Sequence, residues 1–130
     1  MIYHIHHALS GVEILDLDFE KAVQRAKGGD FIYFDPPYHP LTPTSNFVSY
    51  TGVFSDSDQL RLFEVFKYLD SINVKLMQTN SNTTFIRELY KDFRILEIEA
   101  KRSINCHGSK RGEITDLLIL GNYYFICFTS

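Results

Sequence analysis

FIYFDPPYHP, residues 31–40, decides how the rest of the chain is read. Phe31 to Phe34 is an unbroken apolar run of strand length, the pattern of a strand covered on both faces. Pro36 and Pro37 end it, because proline has no N–H to give to a sheet ladder. Asp35 is therefore expected at the carboxyl end of a strand, which in open α/β sheets is where ligands sit.

Working outward, the chain alternates helical and extended patterns. Val12 to Leu17 is a short apolar stretch leading to Asp18, an N-cap residue for a helix from Phe19 to about Lys27, closed by Gly28-Gly29. Residues 39–54 read as a long loop. Ser55-Asp56-Ser57-Asp58 opens a second helix, whose apolar face is read as Leu60, Leu62, Phe63, Val65, Phe66 and Leu69. A strand over Val74–Thr79, a turn over Asn80–Thr83 and a helix through Phe85, Ile86, Leu89 and Tyr90 follow. Arg94–Ala100 and Ile114–Leu120 read as a closing pair of strands. The expected fold class is α/β, a half-sized parallel sheet with an antiparallel addition. It has about four strands with flanking helices, the last two strands antiparallel and one sheet edge bare.

Composition sets limits. With 130 residues, 45% hydrophobic and 22% charged, the chain suits one compact domain with a small core. No apolar run is long enough to span a bilayer, and MIYHIHHALSG lacks the pattern of a signal peptide, so a cytoplasmic setting is expected. Cys106 and Cys127 read as reduced thiols. His4, His6 and His7 lack the Cys or carboxylate partners of a metal site, so a polar N-terminal segment is expected there and no metal. A net charge of −3 argues against a surface coated for nucleic acid. One patch stands out: KRSINCHGSKRG, residues 101–112, holds four of the thirteen Lys and Arg residues.

The chemistry of DPPY follows from its groups. Asp35 and the Pro36 carbonyl accept hydrogen bonds, Pro37 stiffens the backbone between them, and Tyr38 offers a flat π-face. Such a set suits the exocyclic amine of a heteroaromatic base, whose lone pair is conjugated into the ring until acceptors draw its hydrogens aside. A four-residue match is equally compatible with an ordinary strand end capped by an Asp and a Pro-Pro turn.

The wider sequence separates these readings. FIYFDPPYHPLTPTSNFVSYTGVFSDSDQ, LMQTNSNTTFIRELYKDF and KRSINCHGSKRGEITDLLILGNY closely resemble the Dam-type (DPPY, D12 class) DNA adenine N6-methyltransferases, in order and spacing, from about Asp18 to Tyr123. The resemblance implies methyl transfer from S-adenosylmethionine to the amine of an adenine flipped out of duplex DNA. By position it makes Asp35, Pro36, Pro37 and Tyr38 the catalytic set, with Tyr38 stacked on the base. Asp18 and Phe19 are similar to the family's contacts to the cofactor's adenine, and Asp35 is expected to touch both substrates; an N-cap and a core aromatic are the plainer roles of Asp18-Phe19. Ser45, Asn46 and Tyr50 resemble a segment that closes over the target base, or are solvated loop residues. Asn80 and Ser81 face the same sheet edge, or simply form a turn. Lys101, Arg102, Ser103, Asn105, Lys110 and Arg111 resemble the family's hairpin beside DNA, gripping phosphates rather than reading bases, or a solvated hairpin tip.

The departure is upstream. None of the seven glycines forms the G-x-G of the family's cofactor turn, and DPPY begins too early to leave room for that turn and the target-recognition region. The resemblance thus implies the C-terminal half of a Rossmann-like methyltransferase fold, a single partial methyltransferase domain over 1–130, which alone is expected to bind S-adenosylmethionine poorly and not to methylate. Self-association through the bare edge, or pairing with a missing N-terminal half, follows from it. A non-catalytic DNA-binding or assembly fragment is the rival reading. A methyltransferase of glutamine amides or RNA is a third, but those sites usually begin with Asn where Asp35 stands.

Overall fold

The computed structural model describes residues 2–42, 54–100 and 114–123. In chain order these form α1 (Ile2–Leu9), α2 (Phe19–Ala22), β1 (Phe31–Phe34), α3 (Asp56–Ser71), β2 (Lys75–Ser81), α4 (Thr84–Leu89), β3 (Arg94–Glu99) and β4 (Thr115–Leu120). The four strands make one mixed sheet in the order β1-β2-β4-β3. β1 and β2 are parallel, with Phe31 opposite Lys75 and Phe34 opposite Gln78. β4 runs antiparallel to both of its neighbours, so β1, β2 and β3 all point the same way. Their carboxyl ends share one edge of the sheet.

The core lies on one face. Leu62, Phe66 and Leu69 of α3, with Ile86 and Tyr90 from the α4 region, pack on Phe34, Leu76, Leu117 and Ile119. Aromatic edges meet ring faces there: Phe66 and Tyr90 have centroids 5.5 Å apart at 86°. The opposite face is less covered. Phe31 and Tyr33 are about half exposed while Phe34 is buried, so β1 alternates where a strand covered on both faces was expected. The described helices supply one layer only, and β1 is the terminal strand of the sheet they cover.

Local chemistry explains the element ends. Ser55 and Asp58 form a reciprocal capping box at the start of α3. Asn73, at φ 69°, takes the left-handed conformation just past α3 and turns the chain into β2.

Several expectations shift. α1 is helical where only a polar segment was expected, and it buries none of its residues. α2 stops at Ala22 rather than near Lys27, because beyond Val23 the bonds tighten to three-residue turns, from the Gln24 N–H to Lys21 and from the Ala26 N–H to Val23. Phe19, Val23 and Ala26 still pack against the core at near-helical spacing. Leu60, assigned to the apolar face of α3, is exposed, and Gln59 is buried in its place. β2 runs through Asn80 and Ser81, whose turn propensity yields to pairing with Leu117 and Asp116. Among the described residues no helix is long and apolar enough to cross a membrane, and no group of His, Cys, Asp or Glu could hold a metal ion. Cys106 and Cys127 lie outside the described residues.

Candidate active site

β1 delivers Asp35 to the carboxyl edge of the sheet, one step past Phe34 and its register partner Gln78. The next residue on β2 is Thr79, and its Oγ1 donates to Asp35 Oδ1 at 3.0 Å. A hydroxyl has one proton, so the 3.0 Å contact between Tyr33 and Thr79 is a bond donated by the Tyr33 O–H. The Tyr38 hydroxyl also bonds to Thr79. Burial holds the Tyr38 phenol above its ordinary pKa and outweighs the lowering effect of the Thr79 contact, with the charges of Asp116 and Asp35 adding to the rise. At neutral pH Tyr38 is therefore a protonated donor. Thr79 gathers two tyrosines behind Asp35 and turns its one proton toward the carboxylate.

The backbone after Asp35 is clasped just as firmly. Gln59 Nε2 donates to the Pro37 carbonyl at 3.0 Å, and Asn80 Nδ2 donates to Gln59 Oε1 at 3.1 Å. Asn80 Oδ1 accepts the His39 N–H at 3.0 Å and the Ser81 N–H at 2.9 Å. Ser81 Oγ donates to the His39 carbonyl at 2.5 Å. The His39 ring stacks on Phe85 at 4.7 Å, and its Nε2 lies 3.2 Å from Asp56. Gln59, Asn80 and Ser81 are all buried. Among the described residues no hydrogen bond reaches the Pro36 carbonyl.

Asp35 and Pro36 look onto an open cavity of about 570 Å³ that is also lined by Leu17, Asp18, Phe19, Phe54 and Arg61. The structure thus brings the expected cofactor pair, Asp18 and Phe19, to the same hollow as the DPPY end of β1. That volume lies within the ~300–1,000 Å³ usual for small-ligand sites. The donor set fits S-adenosylmethionine in kind: Asp18 and Asp35 are carboxylate acceptors for amino groups, and Leu17, Phe19 and Phe54 are apolar walls. Asp18 also caps α2, accepting the Glu20 N–H at 3.0 Å, so its plainer role holds too. A hydrogen bond from Arg61, then that backbone bond, holds the Asp18 carboxyl below its ordinary pKa. Asp18 is accordingly an ionised acceptor at neutral pH.

The other expected contacts divide. Asn80 and Ser81 reach the same edge as Asp35, with their side chains turned to the loop backbone. Ser45, Asn46 and Tyr50 lie outside the described residues, as do Lys101, Arg102, Ser103, Asn105, Lys110 and Arg111. The strands flanking the latter six are described: β3 ends at Glu99 and β4 begins at Thr115, its partner, at the edge where β1 ends in Asp35. Sequence reasoning missed Thr79, Gln59 and Arg61. Thr79 and Gln59 act on a loop some forty and twenty residues away, a relation only register reveals. Arg61 carried a weaker signal, three residues past the acid of a capping box and one turn into an amphipathic helix.

Comparison with known proteins agrees with this geometry. Residues 2–104 match the family of D12 class N6 adenine-specific DNA methyltransferases. The chain is 50% identical over 111 residues to the Type II methyltransferase M1.LlaDCHI of Lactococcus lactis subsp. cremoris, covering 85% of this chain and 39% of that protein. It is 46% identical over 123 residues to the Type II methyltransferase M.MjaIII of Methanocaldococcus jannaschii, covering 92% and 42%. With the DNA adenine methylase of Salmonella typhi the figures are 30% over 120 residues, 92% and 43%. The chain spans about two fifths of the length of these relatives. A match over most of the chain, with DPPY at the carboxyl end of its strand, shows that the chain belongs to the D12 class N6 adenine-specific DNA methyltransferase family.

Proposed function

We propose that this chain supplies the target-amine part of a DNA adenine N6-methyltransferase site and the floor of its cofactor pocket. The observation that carries the reading is one carboxylate and one carbonyl, Asp35 and Pro36, held side by side on the rim of a cavity that also takes in Asp18 and Phe19. Asp35 Oδ2 and the Pro36 carbonyl accept the two hydrogens of an adenine amine. Both bonds pull the nitrogen lone pair out of conjugation and aim it into the cavity. Bound S-adenosylmethionine supplies an electrophilic methyl on a sulfonium. On transfer of that methyl to the amine, Asp35 would stabilise the positive charge that develops on the nitrogen, and the amine proton would leave to solvent. Tyr38 lies against the base, its hydroxyl anchored on Thr79. The base reaches this position flipped out of duplex DNA, whose phosphates meet the basic segment that springs from the β3 and β4 ends.

The test is a graft. The matched 111 residues of the lactococcal relative are replaced by those of this chain, and tritiated methyl transfer to DNA carrying the relative's own site is measured. Methylation is expected from the graft and none from the 130-residue chain alone. A well-folded graft that binds the cofactor but leaves DNA unmethylated would favour the non-catalytic reading.

The terminal position of β1 gives a second expectation. Further polypeptide, of the kind the relatives carry over their remaining length, adds beside it, and a second copy of the chain substitutes when that polypeptide is absent. Sedimentation equilibrium should show concentration-dependent dimers; a strict monomer at high concentration contradicts this.

A further inference from the structure

We propose that the Arg61 guanidinium, rather than the Phe19 ring, is the flat surface that the cavity offers to the adenine ring of the methyl donor. The inference rests on the reading of Asp18-Phe19 as the adenine end of the cofactor site and changes which group makes the stack. Phe19 packs against the core and lies 6.0 Å from Phe54, tilted at 59°. Over its ring, with Cζ 4.3 Å from the centroid, sits the half-exposed guanidinium of Arg61. Both groups line the cavity, with the Arg61 guanidinium placed over the Phe19 ring.

The guanidinium is held flat. Its two terminal nitrogens donate in parallel to the two oxygens of Asp18, at 2.9 and 3.0 Å. Glu20 accepts at 3.2 Å and Asp58 at 3.4 Å. Asp58 is itself fixed by the Ser55 capping box. Three acids from two elements thus set the plane, and a planar delocalised cation stacks on aromatic faces from either side. Phe19 lies against it on one side, and the proposal puts the ligand ring on the other.

Asp18 completes the recognition. A carboxylate has about four lone-pair sites. Oδ1 takes the Glu20 N–H and one Arg61 nitrogen, and Oδ2 takes the other Arg61 nitrogen. Among the described residues these bonds leave one lone pair on Oδ2 unused, and it can accept from an amino group at the edge of the ligand ring. Asp18, Glu20 and Asp58 outnumber Arg61 in charge, so the platform does not repel a cationic donor.

Nitrogen-15 NMR titrations of the 130-residue chain test this, using adenosine and homocysteine as separate probes for the two ends of the cofactor. Adenosine should move the Arg61 Nε–Hε resonance, and homocysteine should not. Arg61→Lys keeps the charge and loses the plane, so adenosine binding should weaken about threefold to tenfold, and Arg61→Ala at least as much. Equal or tighter adenosine binding by Arg61→Ala overturns the proposal, because the guanidinium would then be a cover over Phe19 that must move aside. So does adenosine binding that leaves Arg61 Nε–Hε unmoved in the unsubstituted chain, a readout that needs no variant to fold. Both results leave the cofactor reading standing. No adenosine binding at millimolar concentration, by the chain or by the grafted enzyme, overturns the cofactor reading and the platform together.

Discussion

Asp35→Ala in the grafted enzyme is expected to lower the rate of methyl transfer by about 10³-fold, the usual cost of removing one well-placed group that stabilises transition-state charge. The fold should hardly notice. Asp35 is exposed, and its described side-chain bond is the one it accepts from Thr79. The loss should fall on the maximal rate more than on DNA affinity, because phosphate contacts, not this carboxylate, dominate binding. Asp35→Asn should keep part of the activity, since the amide oxygen still accepts while its NH2 opposes the incoming amine. Thr79→Val sharpens the test. It removes the proton that orients Asp35 while leaving the carboxylate, so it should slow the reaction by a smaller factor, about tenfold, the low end for a hydrogen bond to a charged group. Initial rates with tritiated cofactor on a duplex oligonucleotide decide the matter. If Asp35→Ala costs less than tenfold, the amine-acceptor role is wrong.

What the sequence made legible, and what it hid, divides by distance along the chain. β1 and the capping box of α3 depend on neighbours within four residues, so FIYF and SDSD announce them. The link between Asp35 and Thr79 spans 44 residues and depends on the register of β1 against β2, which no local pattern encodes. The stripe of α3 shows how a local rule can mislead. Spacing alone puts position 59 on the same face as Leu62, Phe66 and Leu69, yet a glutamine reads as solvated. It is buried because both ends of its amide find partners that arrive from β1 and β2. Asn80 and Ser81 misled in the opposite way. Both favour turns in isolation, and only β4, entering antiparallel beside β2, keeps them in the ladder. The alternation of β1 has the same origin, because a strand's apolar content does not state how many layers will cover it.

Asn80→Ala is the second large effect, expected to cost about 2–4 kcal/mol of unfolding free energy, because it takes a partner from three buried or part-buried groups, at roughly 1–3 kcal/mol for each one left unsatisfied. The partners are specific. The His39 and Ser81 N–H groups lose the side-chain acceptor, and Gln59 Oε1 loses its donor. The orientation of the Asn80 amide is fixed by the same network: turning it over would set its NH2 against the N–H groups of His39 and Ser81. Asn80→Asp therefore does not rescue it. Its carboxylate still accepts from the two backbone groups but faces the Gln59 oxygen, and a Gln59 turned to donate would abandon the Pro37 carbonyl. Urea denaturation should show both losses, and hydrogen exchange should show the His39 amide opening well before the core of β2. In the grafted enzyme the same substitution should lower methyl transfer for every DNA sequence alike, since it loosens the segment that carries Pro36 and Tyr38. A direct contact with DNA would instead leave stability within about 0.5 kcal/mol, as for an ordinary surface change, and alter affinity alone. That result, with the His39 amide still protected, would assign Asn80 to the DNA and remove it from the clasp.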